Sequence, residues 1–258
     1  MIRLIVIDLD KTLLDNNGYI TLYTKDIIKK SRMLGIRIVI ATARSKCAAE
    51  YAIGDLDVDA SIYNNGALVI VGSREIEYPI EQTIANQILL KLSDDKSVQT
   101  IKVTTNQDEY SSLNSFKKHG VTYKYWDFNF PLKHNIYKIM IDTHQEFIPN
   151  IYSSRFNCTI QRVRQGNTLI ITSKEADKIA ALRHVAHDLN IPIGDTLAFG
   201  DDINDKLMLE FCGVGVAMKN ASSEIKKIAD FLCDSNQDDG VAKWIDKIIL
   251  SYSDDYLA

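Results

Sequence analysis

Short apolar runs alternate with amphipathic segments over residues 1–67 and 173–258 of the chain. The first run, residues 2–7, is apolar at all but one position and rich in β-branched side chains, which predicts a strand buried on both faces. Similar runs predict strands at 36–41, 60–63, 196–199 and 214–218, and helices are predicted at 25–34, 46–53, 175–190, 221–228 and 240–249. This alternation predicts a parallel sheet whose strands are joined by crossover helices.

The pattern changes between residues 68 and 172. Two runs, 68–71 and 75–78, flank Gly72-Ser73, which predicts a β-hairpin. Beyond the hairpin, helices are predicted at 82–92 and 145–152, and strands at 98–104, 123–128, 136–142, 158–163 and 168–172. Such a mixture indicates antiparallel pairing. We therefore expect an α/β domain, residues 1–79 and 173–258, interrupted by an α+β domain, residues 80–172.

Composition narrows the class of protein. Of the 258 residues, 46% are hydrophobic and 25% are charged, which is ordinary for a globular protein, and no run approaches the ~20 apolar residues needed to cross a bilayer. The net charge of −4 argues against a nucleic-acid binder. The four cysteines form no C-x-x-C pair, which is typical of reduced thiols in a cytoplasmic protein. Residues 80–172 contain 11 basic and 8 acidic residues, a net +3 that leaves −7 elsewhere and suits a small anionic substrate.

Two aspartates, Asp8 and Asp10, follow the first predicted strand directly. A side-chain period of two places both on the same side of the chain, at the sheet edge where open α/β folds bind ligands. Two like charges this close are unfavourable unless a cation lies between them or one carboxylate stays protonated, and for a cation the oxygen ligands favour Mg²⁺. The alternative is that the pair merely caps a turn after the strand.

A second acidic cluster, residues 200–205, follows the strand predicted at 196–199. Asp8 and Asp201 are then the expected direct Mg²⁺ ligands, with the Asp10 carbonyl beside them and Asp205 acting through water or from farther away. In this arrangement Asp8 is a candidate nucleophile and Asp10 a candidate general acid and base for phosphoryl transfer. Taken alone, residues 200–205 fit equally well a turn that N-caps the following helix.

Other polar residues extend this set. Thr42 and Asn65 follow two further predicted strands, so both belong to the same sheet edge. The Thr42 hydroxyl and the nearby helix start suit an anion, and Lys178 offers a positive charge early in the helix that follows the insert. Each has a simpler alternative, since Thr42 fits a helix cap and Lys178 a solvated helix face.

In combination these motifs resemble the haloacid dehalogenase-like phosphohydrolases, and within them the Cof-type branch, which carries a large α/β cap of type IIB inserted between the second and third motifs. The resemblance rests on Asp8-x-Asp10-x-Thr12, Thr42-x-Arg44, Asn65-Gly66-Ala67, Lys178, Gly200-Asp201-x-x-Asn204-Asp205 and the stretches 215–221 and 235–242. It implies a Rossmann-like parallel-sheet core with an inserted α+β cap. It further implies these roles: nucleophile Asp8, acid and base Asp10, phosphate binding by Thr42, Lys178 and Asn204, and metal binding by Asp8, Asp10, Asp201 and Asp205.

The chain departs from the family pattern at three positions, where Lys11, Ala43 and Ile179 replace glycines. Lys11, Arg44 and Asn65 are expected to line the substrate pocket, and the basic residues of the insert, among them Lys102 and Lys124, are further candidates. The expected reaction is Mg²⁺-dependent hydrolysis of small phosphomonoesters through an aspartyl phosphate, with sugar phosphates as the foremost candidate substrates. The expected partner is a small phosphorylated metabolite, without nucleic acid or membrane, and the protein a monomer or weak homodimer. A phosphomutase of the same fold and a non-catalytic phosphoaspartate switch stay open.

Overall fold

A computed structural model describes residues 1–118, 120–127, 130–144, 156–163 and 167–250. Its strands are β1 (Leu4–Ile7), β2 (Arg37–Ala41), β3 (Ala60–Tyr63), β4 (Leu68–Val71), β5 (Arg74–Glu77), β6 (Val98–Thr105), β7 (Glu109–Ser111), β8 (Phe116–Lys118), β9 (Val121–Tyr125), β10 (Ile136–Thr143), β11 (Cys158–Arg162), β12 (Thr168–Ser173), β13 (Thr196–Gly200), β14 (Val214–Met218) and β15 (Phe231–Cys233). Its helices are α1 (Leu22–Met33), α2 (Lys46–Ile53), α3 (Gln82–Asp94), α4 (Lys178–Asp188), α5 (Lys206–Phe211), α6 (Ser223–Ile228) and α7 (Gly240–Ile245). The chain divides into two units, residues 1–75 with 178–258 and residues 76–177.

The first unit is built around an eight-stranded sheet of order β15-β14-β13-β1-β2-β3-β4-β5. The pairs from β15 to β3 are parallel, whereas β4 runs antiparallel to β3 because the short turn Asn64–Gly66 reverses the chain between them. Every residue of β1, β3 and β13 is buried, as their unbroken apolar sequences predict. The predicted fold class, a parallel-sheet α/β core, is confirmed.

The register of this sheet aligns the carboxyl ends of its central strands. Ile7, the last residue of β1, lies opposite Phe199 of β13 and Ile40 of β2. Ala41 in turn lies opposite Ile62 of β3. The residues that follow these four strands therefore emerge at one edge of the sheet, which is the edge where ligands bind in open α/β folds.

The second unit contains a seven-stranded sheet of order β11-β12-β10-β6-β7-β9-β8. One face packs on α3, whose buried residues Ala85, Ile88, Leu89 and Leu92 share a core with Ile139 and other apolar residues of the sheet. The pairs are antiparallel, as predicted, except that β7 and β9 run parallel because β8 intervenes between them along the chain. The helix predicted at 145–152 lies outside the described residues.

Several element boundaries differ from the sequence prediction. Helix α1 begins at Leu22, because the Thr21 side chain accepts a hydrogen bond from the Thr24 amide and caps it. Helix α4 begins only at Lys178, since the residues from Ser173 onward form a turn closed by the Ala176 amide on the Ser173 carbonyl. The predicted domain boundaries at 79 and 172 lie close to the unit boundaries at 75 and 177, and their assignment as core and cap stays a prediction. Within the described residues, no helix is both long and apolar enough to cross a bilayer.

Candidate active site

The predicted site residues emerge from the four aligned strand ends. Asp8 follows β1 in an extended conformation, and its amide donates to the Phe199 carbonyl of β13 at 3.1 Å. Thr42 follows β2, and its amide donates to the Ile62 carbonyl of β3 at 2.8 Å. Asp201 follows β13 directly. Backbone hydrogen bonding of the sheet thus continues one residue past β1 and β2 and fixes Asp8 and Thr42.

Three carboxylates meet at this edge. Asp8, Asp201 and Asp205 are buried, and each offers an oxygen within 4.8 Å of those of the other two. The Lys178 ammonium lies between two of them, with Nζ donating to Asp8 Oδ1 and to Asp205 Oδ1 at 2.7 Å each. The Lys178 side chain is only 2% exposed, so the alternative of a solvated helix face is wrong.

The electrostatics of this cluster are those of a buried site with surplus negative charge. Burial raises the pKa of Asp8 well above its usual range, and the neighbouring Asp205 raises it further, while Lys178 opposes both effects. Burial lowers the pKa of Lys178, but the two carboxylates outweigh it and hold that pKa above its ordinary value. Lys178 therefore stays charged, and with all three carboxylates ionised the cluster would carry a net charge of −2.

Asp205 is held by the turn that precedes it. Its Oδ2 accepts hydrogen bonds from the backbone amides of Asp201, at 3.0 Å, and Asp202, at 3.2 Å. Gly200 allows this approach, since a Cβ at that position would lie 2.5 Å from the Asp205 Cβ. The Asp202 side chain meanwhile accepts from the Ile203 amide and forms a capping box with Asp205. The turn therefore caps the following helix and also presents carboxylates to the cluster, while metal binding by these carboxylates stays a prediction.

Asp10 lies apart from the buried cluster. The two-residue alternation expected for Asp8 and Asp10 is wrong, because β1 ends at Ile7 and Leu9–Leu13 forms a helical turn with Lys11 at φ 63°. The Asp10 side chain is 54% exposed and accepts two hydrogen bonds from Arg44, from Nε at 2.9 Å and from Nη2 at 2.7 Å. This bidentate pair raises the pKa of Arg44 and fixes the plane of the Asp10 carboxylate.

The remaining predicted residues form smaller contacts at the strand ends. Thr42 is fully buried, and its Oγ1 accepts from the Arg44 amide at 3.1 Å. The N-cap of α2 is Ser45, so the alternative that Thr42 caps this helix is wrong. Asn204 Nδ2 donates to Asn65 Oδ1 at 3.2 Å, which joins the loops after β3 and β13.

Sequence reasoning assigned no role to two side chains that the structure places among these loops. Thr12 is buried, and its hydroxyl donates to Asp201 Oδ1 at 3.4 Å. Asn64 is 1% exposed, and neither atom of its side-chain amide has a hydrogen-bond partner among the described residues. Thr12 stands inside the quoted Asp-x-Asp-x-Thr motif, which was a usable signal. Asn64 has no distinguishing signal beside Asn65.

Fold and site together define a hydrolase. The chain matches the profile of the haloacid dehalogenase-like hydrolase family over residues 5–245 and belongs to that family. It is 27% identical to phosphatase YwpJ of Bacillus subtilis, with 93% of this chain and 97% of that protein covered. It is also 27% identical to the 5-amino-6-(5-phospho-D-ribitylamino)uracil phosphatase YcsE of the same organism, over 95% of this chain and 94% of that protein.

A solved structure extends the similarity to three dimensions. The structure of a haloacid dehalogenase-like hydrolase from B. subtilis superposes with a TM-score of 0.83 at 25% sequence identity, covering 96% of this chain and all of that one. The predicted family, with its Cof-type branch, is therefore confirmed. The protein is an enzyme, a phosphomonoester hydrolase.

Proposed function

We propose that this phosphatase hydrolyses small phosphomonoesters in a Mg²⁺-dependent reaction that passes through an aspartyl phosphate on Asp8. Sugar phosphates are the foremost candidate substrates. The observation that carries the proposal is the buried Asp8 carboxylate at the end of β1, with Lys178 2.7 Å from its Oδ1 and Asp201 and Asp205 beside it. In this setting one oxygen of Asp8 accepts a hydrogen bond from the Lys178 ammonium, and the other oxygen is available to attack phosphorus.

The donor set fits a hard divalent cation. All three candidate ligands are carboxylates, and the net charge of −2 left by Lys178 is the charge that a divalent ion would neutralise. Asp8, Asp201 and the Asp10 carbonyl would hold Mg²⁺, with Asp205 in support. When bound, the ion would supply positive charge that offsets the charge on the phosphoryl oxygens.

The nucleophilic attack and the proton transfers would use side chains that this chain provides. The free Asp8 oxygen attacks phosphorus, the ester P–O bond breaks, and the leaving oxygen takes the proton of Asp10, which enters this step as the neutral acid and leaves it as the carboxylate. Asp10 next removes a proton from water, the resulting oxygen attacks the phosphoaspartate, and the bond to Asp8 breaks to release inorganic phosphate. Arg44 holds the Asp10 carboxylate by two hydrogen bonds and so limits its rotation.

Phosphate positioning falls to residues around the cluster. Lys178 and the Thr42 hydroxyl would bind phosphoryl oxygens, with Asn204 in support, because phosphoryl transfer depends mainly on positioning and charge neutralisation. Arg44, Asn65 and Lys11 would line the pocket for the rest of the substrate.

Sugar phosphates are proposed as the first substrate class for two reasons. One relative, the B. subtilis ribitylaminouracil phosphatase, acts on an ester of a polyhydroxylated chain. The surplus of basic residues at 80–172 also suits an anionic ester. Pyridoxal phosphate and flavin mononucleotide are the next substrates to test.

The test is phosphate release from a panel of hexose phosphates, pentose phosphates, pyridoxal phosphate and flavin mononucleotide, with Mg²⁺ and with EDTA. We expect turnover that EDTA abolishes, and we expect Asp8→Asn to reduce it below detection while the protein stays folded. Asp202→Asn is the matched control, since Asp202 belongs to the neighbouring acidic motif but serves as a cap. Turnover retained by Asp8→Asn would refute the nucleophile, and an isomerised ester without phosphate release would indicate a mutase.

A further inference from the structure

Two asparagines from the last quarter of the chain bind the loop that carries Asp10. Asn220 follows β14, and its Nδ2 donates to the Lys11 carbonyl at 2.8 Å. Asn236 follows β15, and its Nδ2 donates to the Leu14 carbonyl at 2.8 Å. The Leu9–Leu13 turn is therefore held at one of its own carbonyls and at the carbonyl of the residue after it, by residues more than two hundred positions away.

The two asparagines also bind each other. The backbone amide of Asn236 donates to Asn220 Oδ1 at 3.0 Å. This bond orients the Asn220 side chain with its NH₂ group towards the Lys11 carbonyl. Asn236 is 6% exposed, and its Nδ2 lies 3.4 Å from Asn16 Oδ1 as well. Asn236 is thus the buried member of the pair, and Asn220 is the exposed member that binds the turn directly.

The turn needs such support because its backbone is unfavourable. Lys11 has φ 63°, a left-handed conformation in which the Cβ of an L-residue approaches the following carbonyl oxygen. Two backbone hydrogen bonds close the turn, from Leu13 to the Asp8 carbonyl at 3.2 Å and from Leu14 to the Leu9 carbonyl at 2.9 Å. Without an external bond on its carbonyl, Lys11 would relax towards negative φ and Asp10, the preceding residue, would move with it.

We propose that Asn220 and Asn236 form a clasp of positioning residues that fixes the Asp10 backbone for its proton transfers. This rests on the proposed function, in which Asp10 is the general acid and base. Arg44 holds the Asp10 side chain, and the clasp holds the main chain that carries it. Stretches 215–221 and 235–242, which the resemblance includes without a role, thereby acquire one.

The experiment compares Asn220→Ala with Lys219→Ala, an exposed neighbour that serves as the matched control. Hydrogen exchange of peptides that contain the Leu13 and Leu14 amides is measured without substrate, alongside kcat and KM. In Asn220→Ala we expect faster exchange in these peptides, unchanged exchange in β13, and kcat lowered by about tenfold at nearly constant KM, since small misplacements of a catalytic group lower the rate. Asn220→Asp keeps the acceptor for Asn236 but loses the donor, so it should behave like Asn220→Ala.

A second pair of variants separates backbone strain from side-chain loss. Lys11→Gly added to Asn220→Ala removes the left-handed penalty and should restore part of kcat, whereas Lys11→Ala keeps that penalty and should restore none. Unchanged exchange in Asn220→Ala, or equal rescue by glycine and alanine, would overturn the clasp. A wild-type protein that releases no phosphate from any ester would instead refute the proposed function, and the exchange measurement would still decide the clasp.

Discussion

The two sheets of this chain carry their polar residues in different places. In the first sheet β1, β3 and β13 are buried along their whole length, so charged side chains appear only after the strands end. In the second sheet β9 and β11 bury only their first residue fully, and polar side chains lie along the strands. A sheet covered on both faces concentrates its charge at one buried edge, whereas a sheet covered on one face spreads its charge over the other.

The ion pairs of Lys178 in the first unit differ in burial from two ion pairs of the second unit. Lys178 is almost fully buried and contacts two carboxylates that are themselves buried. In the second unit Lys102 lies 3.5 Å from Asp142, with about a quarter to a third of each side chain exposed. Lys124 likewise pairs with Asp108 at 2.7 Å, so these two of the basic residues considered as substrate contacts already have acidic partners. Of these three lysines, only Lys178 combines desolvation with unbalanced charge, which is the combination that is typical of catalytic sites.

The largest losses of stability and activity are expected from removing the buried Lys178 ammonium. Lys178→Met leaves Asp8 and Asp205 buried without their ammonium, and breaking such a pair should cost about 3 kcal/mol or more of unfolding free energy in metal-free protein. It should also lower kcat by roughly a hundredfold to a thousandfold. Lys102→Met is the matched control in the second unit, and it should cost less than about 1 kcal/mol.

Urea unfolding in EDTA and phosphate release measure these effects. Equal losses of stability in Lys178→Met and Lys102→Met would contradict the contrast between buried and exposed ion pairs.

The next effect concerns the core of the second unit. Ile139 is fully buried at the centre of β10, so Ile139→Ala should cost about 3 kcal/mol through lost burial and a cavity. Ile160, which is only partly buried at the edge of the same sheet, should cost clearly less when changed to alanine. Because each unit has a core of its own, hydrogen exchange in β1 should be unchanged by either variant. Faster exchange in β1 would show that the two units unfold together.

The same contrast explains which elements the sequence revealed. Buried parallel strands such as β3 and β14 are continuous apolar runs, and their predicted limits coincide with the observed ones. The three-residue strands β7 and β8 were missed, because Glu109–Ser111 and Phe116–Lys118 are too short to show a period. Their pairing depends on neighbours in the folded sheet.

The candidate site was predictable in its parts and not in its connections. Strand ends rich in acidic residues were enough to single out Asp8 and Asp201. Lys178, which bridges Asp8 and Asp205, lies 170 positions from Asp8 along the chain, and only the packing of α4 against the sheet brings the two together. The asparagine clasp was hidden for the same reason, since side-chain contacts with backbone carbonyls leave no periodic pattern.

A smaller loss of unfolding free energy is expected from substituting Gly200, the last residue of β13 before the turn that contains Asp201 and Asp205. In Gly200→Ala the added methyl must displace Asp205, whose Cβ lies 2.5 Å away, so we expect a loss of about 2 kcal/mol. Gly194→Ala is the matched control, because nothing lies within 4 Å of its added methyl, and its change should stay within about 0.5 kcal/mol. Urea unfolding measures both. A Gly200→Ala protein as stable as Gly194→Ala would contradict the close approach of Asp205 to the strand.

The smallest change in unfolding free energy is expected from substituting residues with positive φ, one from each unit. Lys11, at φ 63°, and Asn157, at φ 51°, both occupy a conformation that glycine adopts freely. Asparagine tolerates it better than lysine, so Lys11→Gly should raise the unfolding free energy by about 0.5 kcal/mol while Asn157→Gly leaves it unchanged or slightly lower. Thermal unfolding of both variants measures the difference. If Asn157→Gly gained as much as Lys11→Gly, the strain would be a general property of the turns. A gain confined to Lys11 would instead locate stored strain beside the carboxylates, where catalytic turns commonly hold it.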